Sequence, residues 1–136
     1  QMAERYWGSR AQHAYAWNSL LDTGATLIFG SDAPVESPNP FLGLHAAVTR
    51  CRLDGAPAPT GWIPAQRISL DQAIRAYTIG PATAAGTEGC LGRLAPGYLA
   101  DLIVLDRDPY EVPPEELPGL RPAATMVSGV FRYRDF

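Results

Sequence analysis

Ala25-Thr26-Leu27-Ile28-Phe29-Gly30-Ser31-Asp32-Ala33-Pro34 is the stretch on which the fold turns. Residues 25–29 form a short, continuously apolar run between Gly24 and Gly30. A run of that length without alternation suits a strand covered on both faces, as in parallel sheets flanked by helices. It stops abruptly at Gly-Ser-Asp-Ala-Pro. A carboxylate directly after a buried strand is where α/β enzymes place their chemistry. Asp32 is therefore the first candidate site residue.

Helical patterns flank this strand. Residues 11–23 carry Tyr15, Trp17, Leu20 and Leu21 and end before Gly24, which predicts a helix with a glycine stop. After the turn, Asn39-Pro40 opens a second helix, with Asn39 as cap and Phe41, Leu44, Ala47 and Val48 as its apolar face, fading near Cys51-Arg52. Residues 54–64 read as a Pro/Gly-rich loop. Ser69-Leu70-Asp71-Gln72 is a capping box before a third helix that Gly80-Pro81 should end. Beyond Gly92 the pattern becomes strand-rich: a turn at Pro96-Gly97, a strand at 102–105, a proline-rich loop over 109–122, and strands at 125–127 and 130–133 around Ser128-Gly129. The expected architecture is α/β, with residues 1–91 one unit and 92–136 a second, β-rich one.

Composition excludes several classes. The 136 residues are 46% hydrophobic and carry a net charge of −3. All 11 basic residues are Arg and they are scattered, so no basic stripe suggests a nucleic-acid partner. No run approaches the ~18 apolar residues of a membrane span. The opening Gln1-Met2-Ala3-Glu4-Arg5 lacks a signal-peptide core, so a cytoplasmic location is expected. Cys51 and Cys90 have no metal-ligand spacing.

Three stretches together resemble the C-terminal part of the amidohydrolase superfamily, metal-dependent hydrolases built on a TIM-like (β/α) barrel. Leu20 through Val35 looks like the last barrel strand and its acidic residue. Ser69-Leu70-Asp71-Gln72-Ala73 through Gly80-Pro81-Ala82 is similar to helix following that strand. Gly92-Arg93-Leu94-Ala95-Pro96-Gly97-Tyr98-Leu99-Ala100-Asp101-Leu102-Ile103-Val104-Leu105-Asp106 resembles the return strands of the family's small accessory β-domain, and is the most specific of the three. Gly-Ser-Asp-Ala-Pro-Val and Ala46-Ala47-Val48-Thr49-Arg50 further resemble the branch of D-aminoacylases and N-substituted formamide deformylases.

The resemblance implies hydrolysis of a C–N bond in an N-acyl or N-formyl amide by water activated on a divalent metal, zinc being the first choice. It gives Asp32 two roles, metal ligand and catalytic proton acceptor. A complete barrel takes about 200–250 residues, and the family's His-x-His pair has no counterpart in His13 and His45, which lie far apart. Without Lys, a bridging carboxylated lysine is excluded as well. The remaining ligands would precede residue 1, and this chain alone is expected to be inactive and to hold no metal. His13 reads as a solvated surface residue, His45 as a structural histidine, and Asp101 as a tie for the Pro96-Gly97 turn. Two further readings stay open: an inactive truncated fragment, or a binding module, either of them self-associating through uncovered strands.

Overall fold

The computed structural model describes residues 2–136. Its α-helices are α1 (Met2–Trp7), α2 (Trp17–Asp22), α3 (Pro40–Thr49), α4 (Leu70–Tyr77) and α5 (Ile79–Ala84), and its strands are β1 (Leu102–Leu105), β2 (Pro122–Val127) and β3 (Val130–Arg134). Short 3-10 turns cover Gly8–His13, Pro64–Gln66 and Pro114–Gly119. The chain is thus α/β, with helices first and a three-stranded antiparallel sheet of order β1-β2-β3 last.

Local chemistry explains most boundaries. Asn39 caps α3 by accepting from the Phe41 N–H at 3.0 Å, and Pro40 occupies the first turn, where its missing N–H costs nothing. Ser69 and Gln72 form the reciprocal capping box on α4, at 2.8 and 3.2 Å. α4 ends at Tyr77, earlier than Gly80-Pro81 suggested, and α5 begins two residues later with those residues inside it. The Pro81 ring would clash with the carbonyl of residue 77 in a continuous helix, so the chain breaks at Thr78 and restarts with proline in the first turn. Ser128-Gly129 forms the hairpin turn between β2 and β3, both residues at positive φ.

Two expectations need correction. The helix foreseen over 11–23 is interrupted at Tyr15, whose φ of 52° is left-handed, leaving a 3-10 turn and the six-residue α2. The apolar side chains there do not keep one helical face, so nothing rewards continuity. Residues 25–29 are extended but join no sheet among the described residues. The Phe29 N–H donates to the Ala76 carbonyl of α4 at 2.8 Å, and Ile28 stays 55% exposed. A strand needs a neighbour to become one, and the described chain brings no other strand beside it. The described residues form the three-stranded antiparallel sheet and no barrel.

The core is formed by Phe41, Leu44 and Ala47 of α3, Ala73 of α4, Ile68, and Leu117 and Leu120 from the proline-rich loop. Trp17, Leu27, Phe29, Ile74 and Tyr77 pack around it. Segment 25–30 can lie against the α4–α5 junction because Gly80 has no side chain: a Cβ there would collide with the Leu27 carbonyl. Gly80→Ala should therefore destabilise the chain by about 1–3 kcal/mol, whereas Gly89→Ala, with open space around its Cβ position, should stay within about 0.5 kcal/mol. Denaturant midpoints of the two variants check this.

Candidate active site

Asp32 sits where the extended segment 25–30 gives way to the turn before α3. Its φ is 57°, a left-handed conformation that Asp tolerates better than most residues. The turn is closed by its main chain: the Asp32 carbonyl accepts from the Val35 N–H at 2.9 Å. The carboxylate itself is exposed and caps no backbone group of the described residues. A purely structural Asp after a strand would bond its own turn, as Asp108 does with the Tyr110 N–H at 2.8 Å. Asp32 leaves its carboxylate available for other chemistry.

Nothing else with metal-binding chemistry gathers at Asp32. Among the described residues no group of three or more His, Cys, Asp or Glu side chains is placed to hold a metal ion. One carboxylate does not make a zinc site, which takes at least three protein ligands in hydrolases. The residues present therefore do not fit a metal centre by themselves.

The other candidates resolve into structural roles. His13 is exposed and pairs with Gln12 at 3.1 Å, on the 3-10 turn. Asp101 ties the β2–β3 hairpin and not the Pro96-Gly97 turn: its Oδ1 accepts from the Ser128 N–H, at 2.6 Å, beside the Gly129 N–H to Ala100 carbonyl bond. Asp106 Oδ1 accepts from the Arg121 N–H at 3.0 Å and fixes the end of β1 against the start of β2. Trp17 and Tyr77 both meet the Phe29 ring, with centroids at 5.2 and 5.5 Å. The Cys51 and Cys90 thiols are free and donate to nearby carbonyls. Arg50 is the residue the sequence reading passed over. It is buried at the end of α3, and its only signal in the sequence was an arginine closing an apolar helix.

The chain belongs to the amidohydrolase family, whose model (Amidohydro_3) matches residues 2–133. It is similar to "Putative amidohydrolase YtcJ" of Bacillus subtilis (strain 168), 33% identical over 96% of this chain and 24% of that protein. It is also similar to the N-substituted formamide deformylase of Arthrobacter pascens, 38% identical over 85% of this chain and 20% of the relative. Protein LONG AFTER FAR-RED 3 of Arabidopsis thaliana is 38% identical over 81% of the chain and 18% of its own length. The chain thus spans about a fifth to a quarter of these relatives. No solved structure gives a significant match. No helix among the described residues is long and apolar enough to cross a membrane.

His45 is buried on α3, in a cavity of about 490 Å³ that it shares with Thr49, Cys51, Arg52, Arg67 and Glu115. Burial pushes its pKa below the ordinary histidine value, and the nearby Glu115 charge opposes this only in part. The unfolded chain takes up this proton near about 6.5 and the folded chain only at lower pH. The unfolded state therefore binds more protons in that interval, and the stability present above it falls as pH drops through it. Denaturation midpoints taken from about pH 8 down to about pH 5, spanning the ordinary histidine value, should decline, and His45→Gln should flatten the decline. An equal decline in both proteins would remove His45 as its source.

Proposed function

We propose that this chain is the C-terminal segment of an amidohydrolase that cleaves the C–N bond of an N-acyl or N-formyl amide with water. In this reading the Asp32 carboxylate accepts a proton from the water that adds to the amide carbonyl. It then returns that proton to the nitrogen as the C–N bond breaks, so a carboxylic acid and an amine leave and Asp32 is regenerated. A carboxylate can serve as base and then as acid in the two halves of that exchange. The observation that carries the proposal is the combination of an exposed carboxylate, released from holding its own turn, with family membership over nearly the whole chain. The amide class is supported by similarity to the Arthrobacter deformylase. The divalent metal of such an enzyme would need ligands beyond the residues described here.

A second reading concerns the chain in isolation, which we propose self-associates. Support comes from the unpaired segment 25–30 and from apolar side chains left open on the sheet, among them Ile103, Val104, Phe131 and Tyr133. Uncovered strand edges and apolar faces invite pairing.

The first reading is tested in a full-length enzyme carrying this segment. Asp32→Asn keeps the side chain's size and tolerance of the left-handed turn but removes its basicity, so kcat should fall at least about 10²-fold at equal metal occupancy, with an unchanged unfolding midpoint. Asp101→Ala should do the reverse, costing about 1 kcal/mol of stability and leaving kcat intact. Wild-type turnover in Asp32→Asn would return Asp32 to a structural role. For the second reading, sedimentation of the isolated chain should show mass rising with concentration; a monomer throughout would overturn it.

A further inference from the structure

α3 carries His45, Val48 and Thr49 at the spacing of one helical face, and that face walls the cavity of about 490 Å³. Arg67 and, from the proline-rich loop, Glu115 line it as well. His45 is the most confined of these polar residues, at 4% exposure. Neither of its ring nitrogens has a hydrogen-bond partner among the described residues, yet neither is sealed from solvent. Among those residues the one sealed, unpartnered side-chain nitrogen or oxygen is Arg50 Nη2. The Glu115 charge acts on the imidazole, so the ring and that carboxylate share the cavity. A nearly buried imidazole with two unmet nitrogens is costly unless the contents of the cavity bond it.

The charges around the cavity divide into one that is answered and two that are not. Arg52 Nη2 pairs with Asp54 on its own loop, at 3.2 Å. Arg67 forms no ion pair among the described residues. Its Nε donates to the Thr49 carbonyl at 3.0 Å and its Nη2 to the Pro59 carbonyl at 3.4 Å. These bonds fix the guanidinium plane and leave the Nη1 protons unused, on an atom that keeps accessible surface. Glu115 pairs with no cation among the described residues, whereas its neighbour Glu116 holds Arg107 at 2.7 Å. One fixed cation and one anion thus border the same space without pairing with each other.

We propose that this cavity binds a small zwitterion carrying one carboxylate and one ammonium group: the carboxylate accepts from Arg67 Nη1, the ammonium donates to the Glu115 carboxylate, and the acceptor nitrogen of the neutral His45 ring takes a further ammonium proton. A plain anion would set a second negative charge before Glu115, and a plain cation a second positive charge before Arg67. A ligand with both charges answers both. The volume suits this class, since small-molecule sites run to about 300–1,000 Å³. A guanidinium already held by two carbonyls loses little freedom on binding. No residue of 25–35 lines the cavity, so the site is separate from Asp32 and does not depend on its catalytic role.

The test titrates the 136-residue chain with glycine and with 4-aminobutyrate, against acetate, methylammonium and sodium chloride at constant ionic strength. It is run at about pH 8, above the ordinary histidine range. Ring-proton NMR reads the outcome, because the chain has only two histidines: His45 reports on the cavity, and the exposed His13 on non-specific effects. At least one zwitterion should shift the His45 signals saturably and leave His13 unmoved, with half-saturation about tenfold lower than for acetate or methylammonium. The tighter of the two zwitterions gives the spacing of the charged groups. Glu115→Gln changes an exposed side chain without a hydrogen bond among the described residues, so it should fold, and it should remove the advantage over acetate. Arg67→Lys, which loses the planar fork, should weaken zwitterion and acetate alike. No saturable shift with either zwitterion, as in a cavity that holds water alone, would overturn the proposal. So would acetate or methylammonium binding as tightly as the zwitterions, equal movement of His13, or unaltered zwitterion affinity in Glu115→Gln.

Discussion

Ala47 on α3 and Ala73 on α4 are both fully inaccessible to solvent, and the close approach of these two helices is the constraint on which the rest of the chain depends. Larger side chains at either position would wedge the helices apart. With them close, Phe41 and Leu44 reach Leu117 and Leu120 from the proline-rich loop, and Ile68 closes the cluster. The loop is held there by apolar packing, because five prolines leave it few N–H groups for a ladder. Through it, β1 and β2 are tethered to the helical part.

The same helix pair positions Asp32. α4 offers the Ala76 carbonyl to the Phe29 N–H, and the α4–α5 break brings Gly80 under the Leu27 carbonyl. Segment 25–30 is thereby laid along the helices with its end, and the left-handed Asp32 turn, pointing onward to α3. The aromatic contacts of Phe29 with Trp17 and Tyr77 fix the segment laterally. Packing thus sets the place of the carboxylate, while the Val35 N–H closes the turn and leaves the carboxylate itself unused.

At its other end α3 finishes in a different kind of constraint. Arg50 is stacked and hydrogen-bonded into the wall made by Tyr15, Trp17 and Trp62. This one side chain links the 3-10 turn and α2 at the start of the chain to the loop before α4. Arginine can do this where lysine could not, since a planar cation stacks on both indoles while its edge reaches two carbonyls.

Wherever the deciding interaction is local, the amino-acid sequence was sufficient by itself. Asn39-Pro40 and Ser69 with Gln72 specify their helix starts within one turn of chain, and Ser128-Gly129 specifies the hairpin, since glycine is free to take the positive φ required. The family was legible too, in motifs read in order along the chain, and with it the candidacy of Asp32. The tertiary structure alone decided what depends on distant partners. Residues 25–29 have the composition of a buried strand, but pairing is a property of neighbours, and the described chain supplies a helix carbonyl instead of a second strand. Asp101 adjoins the Pro96-Gly97 turn in sequence yet ties Ser128, because antiparallel pairing of β1 with β2 carries the hairpin turn back to the start of β1. The burial of Arg50 was not legible in the sequence, where it shows only as an arginine closing an apolar helix, since Trp17 and Trp62, which make it a buried cation, lie on either side of it at separations no motif spans.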